Sequence, residues 1–140
     1  MRRKPSLAPL GESEMELLNL VWESGRASVA DIHQLALQKR QVAYTTIMSQ
    51  LKKLADKGYL GFQKEGSAYI YSAARRPDDV RHSLLSNILD KVFGGSALEM
   101  VKSLVNNEPI SSEDYAEMKR LIEEMQIRQQ ERGGGSWWIL

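Results

Sequence analysis

The chain has 140 residues, which is enough for one compact domain and a smaller attachment but too few for a large multidomain enzyme. Hydrophobic residues make up 42% and charged residues 26% of it, and these globular proportions exclude global disorder. There is no cysteine, so disulfides, thiolate metal sites and cysteine nucleophiles are excluded. The net charge of the whole chain is only +1 and by itself indicates no class of partner.

Charge is unevenly distributed along the sequence. Residues 1–76 carry 12 basic and 7 acidic side chains, a net charge of +5, whereas residues 77–140 carry 7 and 11, a net charge of −4. The basic start lacks the apolar segment of a signal peptide, and no apolar run approaches the ~18 residues of a membrane helix. We therefore expect a cytoplasmic protein without membrane insertion, whose two parts have different partners.

A first helix is predicted over residues 14–22, where apolar residues recur at spacings of three and four. Gly11 or Ser13 is the expected cap, Ser13 and Glu16 form a capping-box pattern, and Gly25 is expected to end the helix. The recurring apolar residues, Met15, Leu18, Val21 and Trp22, fall on one face of this helix.

Two further helices are predicted before the first change of period. Ser28 and Asp31 are typical of a helix N-cap and begin a second helix of barely three turns. The polar segment 38–41 interrupts the apolar stripe, and a third helix is predicted from about residue 43 to residue 57. Gly58 is well placed to end that helix in a left-handed conformation.

The apolar period then changes from helical to alternating. Leu60 and Phe62 alternate before a turn at 64–67, and Tyr69 and Tyr71 alternate after it, which predicts a β-hairpin. Three short helices followed by a hairpin are the plan of a winged helix-turn-helix. The predicted fold class is therefore mainly α with a small β-hairpin wing, joined to a C-terminal helical domain.

Three more helices are predicted after residue 77, with N-caps at Asp78, Ser96 and Ser111. Because an isolated unit of about 55 residues is marginally stable, we expect their apolar stripes to meet a second copy of the chain. Folding back onto the first domain is the alternative. The residues expected at the dimer interface are Leu84, Leu85, Ile88, Leu89, Val92, Phe93, Val101, Leu104, Leu121 and Ile122.

The predicted organisation has four parts. They are a flexible basic N-terminus at 1–10, the winged helix-turn-helix domain at 11–76, the dimerisation domain at 77–132 and a flexible Gly-rich tail at 133–140. The glycines are typical of a linker, and the following Trp137 and Trp138 are interpreted as a frayed terminus, with a docking tail as the alternative.

No combination of residues typical of a catalytic site is recognisable in the sequence. His33 and His82 lie on different predicted segments without metal-ligand spacing, and we interpret His33 as a surface or packing residue. The glycines at 94–95 are explained as a helix stop rather than a phosphate-binding loop. We therefore expect neither an enzyme nor a bound cofactor or metal.

Basic residues concentrate between residues 39 and 76, where eight Lys and Arg accompany two acids, a net charge of +6. They fall on the turn, the third helix and the hairpin, and DNA phosphates are the expected counter-charge. Polar side chains at the start of the third helix suit base edges in the major groove; for Thr45 and Thr46, capping and packing are the alternative. The residues expected to contact DNA are Lys39, Arg40, Gln41, Tyr44, Thr45, Thr46, Ser49, Lys52, Lys53 and Lys64.

Five segments form an ordered set of motifs. They are Glu14-Met15-Glu16-Leu17-Leu18 with Val21-Trp22, Ser28-Val29-Ala30-Asp31-Ile32, Val42-Ala43-Tyr44-Thr45-Thr46-Ile47-Met48, Leu51-Lys52-Lys53-Leu54 with Lys57-Gly58-Tyr59-Leu60, and Lys64-Glu65-Gly66 with Tyr69-Ile70-Tyr71. In this order they strongly resemble the penicillinase-repressor family (the BlaI/MecI/CopY group), and the match extends to about residue 130.

The resemblance implies a homodimeric transcriptional repressor that binds a palindromic operator of double-stranded DNA through its winged helix. It implies base-facing roles for Thr45, Thr46 and Ser49, and contacts to the DNA backbone from Tyr44, Lys39, Arg40, Lys52 and Lys64. In antibiotic-responsive members a membrane-bound sensor protease cleaves the dimerisation part, at a position that corresponds to Ser103 and Leu104. The copper-sensing branch uses C-terminal cysteines, which this chain lacks.

The predicted mechanism is occlusion of a promoter by a dimer that is released when a signal disrupts the dimerisation helices. Two alternatives remain, a protein-interaction module and a regulator that binds a small molecule between the C-terminal helices. The concentration of basic residues argues against the first alternative. The absence of converging polar groups in the C-terminal stripes argues against the second.

Overall fold

The computed structural model describes residues 9–134 and divides the chain into two units, one ending at Lys91 and one beginning at Val92. The first unit contains three helices, a three-stranded antiparallel sheet and most of a fourth helix; two helices follow in the second unit. In chain order the elements are α1 (Glu12–Ser24), β1 (Arg26–Ser28), α2 (Val29–Leu37), α3 (Tyr44–Asp56), β2 (Leu60–Glu65), β3 (Ala68–Ala73), α4 (Pro77–Val92), α5 (Ala97–Asn107) and α6 (Ser112–Gly134).

The N-cap of α1 differs from the predicted capping box. Gly11 is the cap, and its N–H donates to Glu14 Oε1 at 3.2 Å, so Ser13 and Glu16 do not form the box. Ser13 lies inside the helix, where its hydroxyl accepts a hydrogen bond from Gln50 of α3 at 3.0 Å. Gly11 is thus the correct one of the two predicted caps, and only the predicted Ser13–Glu16 box was wrong, since the Ser13 side chain has a tertiary partner that local spacing does not reveal.

The predicted cap of α2 is confirmed. The hydroxyl of Ser28 accepts from the Asp31 N–H at 3.1 Å, and the Asp31 carboxylate accepts from the Ser28 N–H at 3.0 Å. This reciprocal pair satisfies two backbone groups that would otherwise lack intrahelical partners. It fixes the start of α2 directly after β1.

The end of α3 is also as predicted. Gly58 has a φ of +88°, its N–H bonds to the Ala55 carbonyl at 3.0 Å, and the Tyr59 N–H bonds to the Leu54 carbonyl at 3.0 Å. This pair of bonds is the Schellman arrangement, in which the left-handed residue reverses the chain and the following apolar residue packs back onto the helix. Tyr59 is fully buried, so the turn delivers the chain into β2 while closing the core.

The sheet has the strand order β1-β3-β2. Strands β2 and β3 form the predicted hairpin, with Phe62 opposite Tyr71 and Lys64 opposite Tyr69, and β1 pairs with the other edge of β3. Strand β1 was not predicted, because three residues show no periodicity and the partner strand lies more than 40 positions away. It ties the segment between α1 and α2 to the wing.

One apolar core contains every buried residue of the described chain. It is formed by α1, α2, α3, the sheet and the first turn of α4, and its largest members with no exposed surface are Tyr59, Leu17, Leu18, Ile32, Ile47, Leu51 and Leu54. Val80 of α4 is only 1% exposed, and Arg81 lies over the ring of Trp22 at 4.9 Å from its centroid. The first turns of α4 therefore belong to the core of the N-terminal unit.

The starts of the C-terminal helices only partly match the predictions. Asp78 is not a cap, because Pro77 already begins α4 and Asp78 lies in its first turn, as a proline at the first helical position favours. The predicted caps at Ser96 and Ser111 are confirmed, since each hydroxyl accepts from the N–H three residues later at 3.1 Å. Helix α6 includes Gly133 and Gly134, and the rest of the predicted tail lies outside the described residues.

None of the helices within residues 9–134 is long and apolar enough to cross a membrane.

Candidate nucleic-acid interface

The outer face of α3 is exposed and mostly polar, with Met48 as an exposed apolar member. Ile47, Leu51 and Leu54 are buried on the inner face, whereas Thr45, Ser49 and Lys52 are exposed at spacings of four and three. These spacings place the three exposed residues in one stripe opposite the core. Thr46 and Lys53 are exposed beside this stripe. Together the five residues form the α3 face: Thr45, Thr46, Ser49, Lys52 and Lys53.

Two of the basic residues between 39 and 76 are held by carboxylates of α1. Lys57 Nζ lies 2.9 Å from Glu14 and 2.9 Å from the Pro9 carbonyl oxygen. Arg40 Nε lies 3.4 Å from Glu16, and the arginine side chain is 37% exposed. Arg40 therefore lies against α1 with only part of its surface open to a ligand.

Four other lysines have no carboxylate partner within residues 9–134. They are Lys39 in the turn before α3, Lys52 and Lys53 on α3, and Lys64 on β2, and all four are exposed. Unpaired lysines that border a polar helix face form a positive surface that is complementary to phosphates. These four lysines are therefore available to a ligand, whereas Lys57 is already bound to Glu14 and Pro9.

The wing carries an aromatic cluster beside Lys64. The Phe62 and Tyr69 rings meet edge-on with centroids 5.2 Å apart, and Lys64 Nζ lies 6.0 Å from the Tyr69 centroid. Tyr71 is buried, whereas Tyr69 packs against Phe62 and is 45% exposed. Arg26 of β1 pairs with Glu65 of β2, which offsets the negative charge of that wing residue.

The turn that precedes α3 is held from both sides by side chains. On one side Arg40 pairs with Glu16 of α1; on the other, the ring of His33 on α2 bonds the Val42 carbonyl oxygen at 2.9 Å. The same ring meets Tyr44 edge-on, with centroids 5.6 Å apart. Sequence reasoning missed these contacts because each joins segments that only the fold brings together.

Gln41 lies between Arg40 and Val42 in this turn, and its side chain is exposed.

Three ionisable groups of the N-terminal unit have shifted pKa values. The ammonium of Lys57 lowers the pKa of Glu14, chiefly through their hydrogen bond. Burial raises the pKa of Tyr59 and of Tyr71 above the usual value for a phenol. The tyrosines therefore stay neutral in the core, and the only one of the three that ionises at neutral pH is Glu14, which stabilises the contact between α1 and α3.

The predicted dimerisation residues are mostly exposed in the single chain. Leu85, Ile88, Val92, Val101, Leu104, Leu121 and Ile122 are exposed, while Leu84, Leu89 and Phe93 are partly buried. Leu84 packs against the core of the N-terminal unit. An apolar groove of about 390 Å³ lies between α5 and α6, lined by Val101, Val105, Tyr115, Met118 and Ile122, with Lys119, Glu123 and Gln126 as its polar members.

The predicted cleavage position lies within a regular helix. Ser103 and Leu104 are in the interior of α5 and are exposed, and the Ser103 carbonyl accepts a hydrogen bond from Asn107 Nδ2 at 2.8 Å. An extended substrate could form here only if this part of α5 unwinds.

Comparison with known proteins gives a family for the chain. The methicillin resistance regulatory protein MecI of Mammaliicoccus sciuri is 22% identical over 113 residues, which cover 81% of this chain and 92% of the relative. The penicillinase repressor of Bacillus licheniformis is 22% identical over 131 residues, which cover 94% of this chain and 100% of the relative. A solution structure of the monomeric Bacillus licheniformis BlaI with the blaP half-operator is 20% identical, covers 52% of this chain and 89% of its own, and has a TM-score of 0.46.

The sequence model that describes the penicillinase repressor family matches residues 10–124. This range includes the complete winged helix, α4, α5 and the first half of α6. Because the match spans most of its length, the chain belongs to the penicillinase repressor family.

Proposed function

We propose that this repressor binds a palindromic operator as a homodimer and blocks a promoter by occupying it. The observation that carries the proposal is the exposed α3 face, which is polar along its outer stripe and bordered by lysines without partners in residues 9–134. In a dimer two such helices enter successive major grooves about 34–36 Å apart, and half-site spacing follows from the dimer geometry.

The charge along α3 indicates which part of the helix approaches the duplex. Thr45, Thr46 and Ser49 occupy its first two turns, and Lys52 and Lys53 follow. Asp56 lies at the last position of the helix and is exposed, so phosphates are repelled from that end. We therefore propose base contacts from the first two turns and phosphate contacts from Lys39, Lys52, Lys53 and Lys64. Tyr44 and Gln41 are also proposed to contact the DNA. Arg40 is proposed to contact it through the part of its side chain that Glu16 leaves exposed.

The proposed dimer interface is the apolar surface of the C-terminal helices. No residue of the described chain after Val80 is buried, although α4, α5 and α6 carry twelve of the large hydrophobic side chains that are exposed. Exposed apolar area of this extent is unusual for a protein that stays monomeric. The groove between α5 and α6 and the outer residues of α4 supply surfaces that a second copy of the chain would cover.

Release from the operator is proposed to act through the same helices, in the cytoplasm where the operator lies. A membrane-bound sensor protease is the proposed agent, and Ser103 and Leu104 are the proposed cleavage position. Because both residues lie inside α5, cleavage there requires local unwinding, and the cut would remove part of the apolar surface that joins the two copies. A monomer keeps one winged helix and therefore loses the avidity of two linked sites.

The proposal is tested by fluorescence-anisotropy titration with duplexes from the promoter region upstream of the protein's own gene and with a scrambled duplex. Titrations at several salt concentrations give the number of phosphate contacts, and sedimentation measures the mass of the complex. Tight and selective binding by two chains per duplex is expected. Equal weak binding to both duplexes would contradict the repressor mechanism, and no binding at low salt would favour a protein-interaction module.

A single substitution tests the proposed base contacts. Thr46→Ala removes an exposed hydroxyl that forms no side-chain hydrogen bond within the described chain, so the fold should be unchanged. We expect the ratio of operator to scrambled affinity to fall about tenfold, the usual size of one lost base contact. Gln63→Ala on the exposed part of β2 is the control. Unchanged discrimination between the two duplexes would remove Thr46 from the base-facing set.

A further inference from the structure

The ring of His33 connects α2 to the start of α3 by two contacts. Its Nε2–H donates to the Val42 carbonyl oxygen at 2.9 Å, and its edge meets the Tyr44 ring with centroids 5.6 Å apart. Val42 precedes the N-cap Ala43, and Tyr44 is the first residue of α3. One partly buried side chain therefore touches the residues on both sides of that cap.

The cap of α3 lacks a side chain that could stabilise it locally. Ala43 provides no capping group, and the first turn of the helix depends on the bonds from the Thr46 and Ile47 N–H groups to the Ala43 carbonyl, at 3.1 and 3.2 Å. By comparison, the Ser28 hydroxyl and the Asp31 carboxylate stabilise the start of α2. An alanine N-cap weakens a helix start, so the position of this turn depends on tertiary contacts.

We infer that His33 is a positioning residue for DNA recognition, because it anchors the residues on both sides of the uncapped start of α3 and holds Tyr44 on the exposed side of the helix start. This inference rests on the proposed function, since the positioned residues include Thr45 and Thr46 of the α3 face. The salt bridge from Arg40 to Glu16 holds the other end of the same turn. His33 acts through Val42 and Tyr44 and itself makes no contact with a base or phosphate.

Amide hydrogen exchange of the free protein tests the positioning without DNA. In His33→Ala the N–H groups of Thr46 and Ile47 should exchange about fivefold faster, the effect of one lost hydrogen bond on a local opening equilibrium. His33→Gln places an amide nitrogen at a similar reach and should restore most of the protection. Gln34→Ala, an exposed neighbour on α2, is the matched control and should leave these rates unchanged.

Titration with operator DNA tests whether the positioning by His33 matters for DNA recognition. His33→Ala should bind the operator about five- to tenfold more weakly and lose less affinity for scrambled DNA, while His33→Gln should remain within about twofold of the parent. Unchanged exchange in His33→Ala, or equally fast exchange in the glutamine variant, would overturn the positioning role. Fast exchange with unchanged operator affinity would overturn its link to recognition.

A failure of the proposed function has a different signature. If the parent protein does not distinguish the operator from scrambled DNA, the repressor mechanism fails, and a role for His33 in recognition is overturned with it. The exchange rates in the three variants then still decide whether His33 stabilises the start of α3.

Discussion

Lys52 on α3 and Lys57, the residue that caps the C-terminus of α3, differ in what their ammonium groups contact. Lys57 donates to Glu14 and to the Pro9 carbonyl, whereas Lys52 is exposed and has no carboxylate partner in residues 9–134. A lysine that is already paired inside the fold gains little from a phosphate, while an unpaired one releases counterions when it binds. Position on the helix alone does not distinguish these roles.

Lys52→Ala should therefore weaken binding to every duplex by a similar factor. The negative slope of log affinity against log salt concentration should become shallower by about one, because one phosphate contact is lost. Lys91→Ala is the control, since Lys91 is exposed in the last turn of α4 outside the proposed interface. An identical slope in Lys52→Ala would remove this residue from the phosphate contacts.

The ion pair between Glu14 and Lys57 predicts a loss of stability in acid. Lys57 lowers the pKa of Glu14 below its ordinary value of 4.5, so the folded state binds the proton less tightly than the unfolded chain. The resulting stabilisation is complete above about pH 4.5 and is lost as pH falls through the lowered pKa.

Urea unfolding at a series of pH values measures this contribution. Glu14→Gln should be less stable than the parent by about 1 kcal/mol at pH 7, and the difference should shrink as the parent is protonated. Glu12→Gln, an exposed carboxylate of the same first turn, controls for the loss of a charge near the helix N-terminus. A difference that stays constant from pH 7 to pH 3 would contradict the assignment.

At the scale of the element, α4 has two ends with different surroundings. Val80 in its first turn is 1% exposed and belongs to the core of the N-terminal unit, whereas Val92 at its end is 68% exposed. The predicted boundary between residues 76 and 77 marks the start of the helix. The packing of Val80 and Leu84 nevertheless joins the first half of α4 to the winged helix.

The same substitution at the two ends tests this difference. Val80→Ala should lower the free energy of unfolding by about 2 kcal/mol, because two buried methyl groups are removed and a cavity remains. Val92→Ala, measured at concentrations too low for dimerisation, should change it by less than about 0.5 kcal/mol, because Val92 is exposed in the single chain. Chemical unfolding monitored by far-ultraviolet circular dichroism gives both values, and equal effects would place the first turn of α4 outside the core.

The elements that sequence reasoning predicted well are those whose signal is local. The apolar period gave α1, α2 and α3, and the glycine at position 58 marked a turn whose two hydrogen bonds involve neighbours only. The features that were missed or wrongly predicted depend on contacts with distant parts of the chain. Strand β1 exists because β3 pairs with it, and the Ser13 hydroxyl is occupied by Gln50 from another helix.

The candidate site shows the same division between local and tertiary information. Exposure of Thr45, Ser49 and Lys52 follows from the helical period, so the α3 face could be predicted. The partners of Arg40 and Lys57 on α1 could not, because charge counts do not show which basic residues are already paired. The number of lysines available to DNA is consequently smaller than the composition suggests.

At the scale of the whole molecule, the two units contrast in how they bury apolar surface. The N-terminal unit has a closed core, while the apolar residues of α5 and α6 remain largely exposed. Burial of such residues is worth about 25 cal/mol per Å² of apolar surface, so a second copy that covers them stabilises both chains. The stability of the C-terminal helices should therefore depend on protein concentration.

A charge on the apolar face of α6 should separate the two copies without unfolding the winged helix. Leu121 is 44% exposed and does not line the groove between α5 and α6, so Leu121→Glu leaves that groove intact and places a carboxylate in the proposed interface. An unpaired charge is costly to bury, so sedimentation should give the mass of a single 15.9 kDa chain instead of twice that value. Operator affinity should fall about 100-fold or more, because two linked half-site contacts become independent.

Ala116→Glu adds the same charge to the same helix away from the apolar face and should remain dimeric. A dimeric Leu121→Glu protein with normal operator affinity would exclude this face of α6 from the interface. A monomeric variant that still binds the full operator as tightly as the parent would instead show that dimerisation does not set the affinity. Operator occupancy would then have to depend on the winged helix alone, and disruption of the C-terminal helices would not release the promoter.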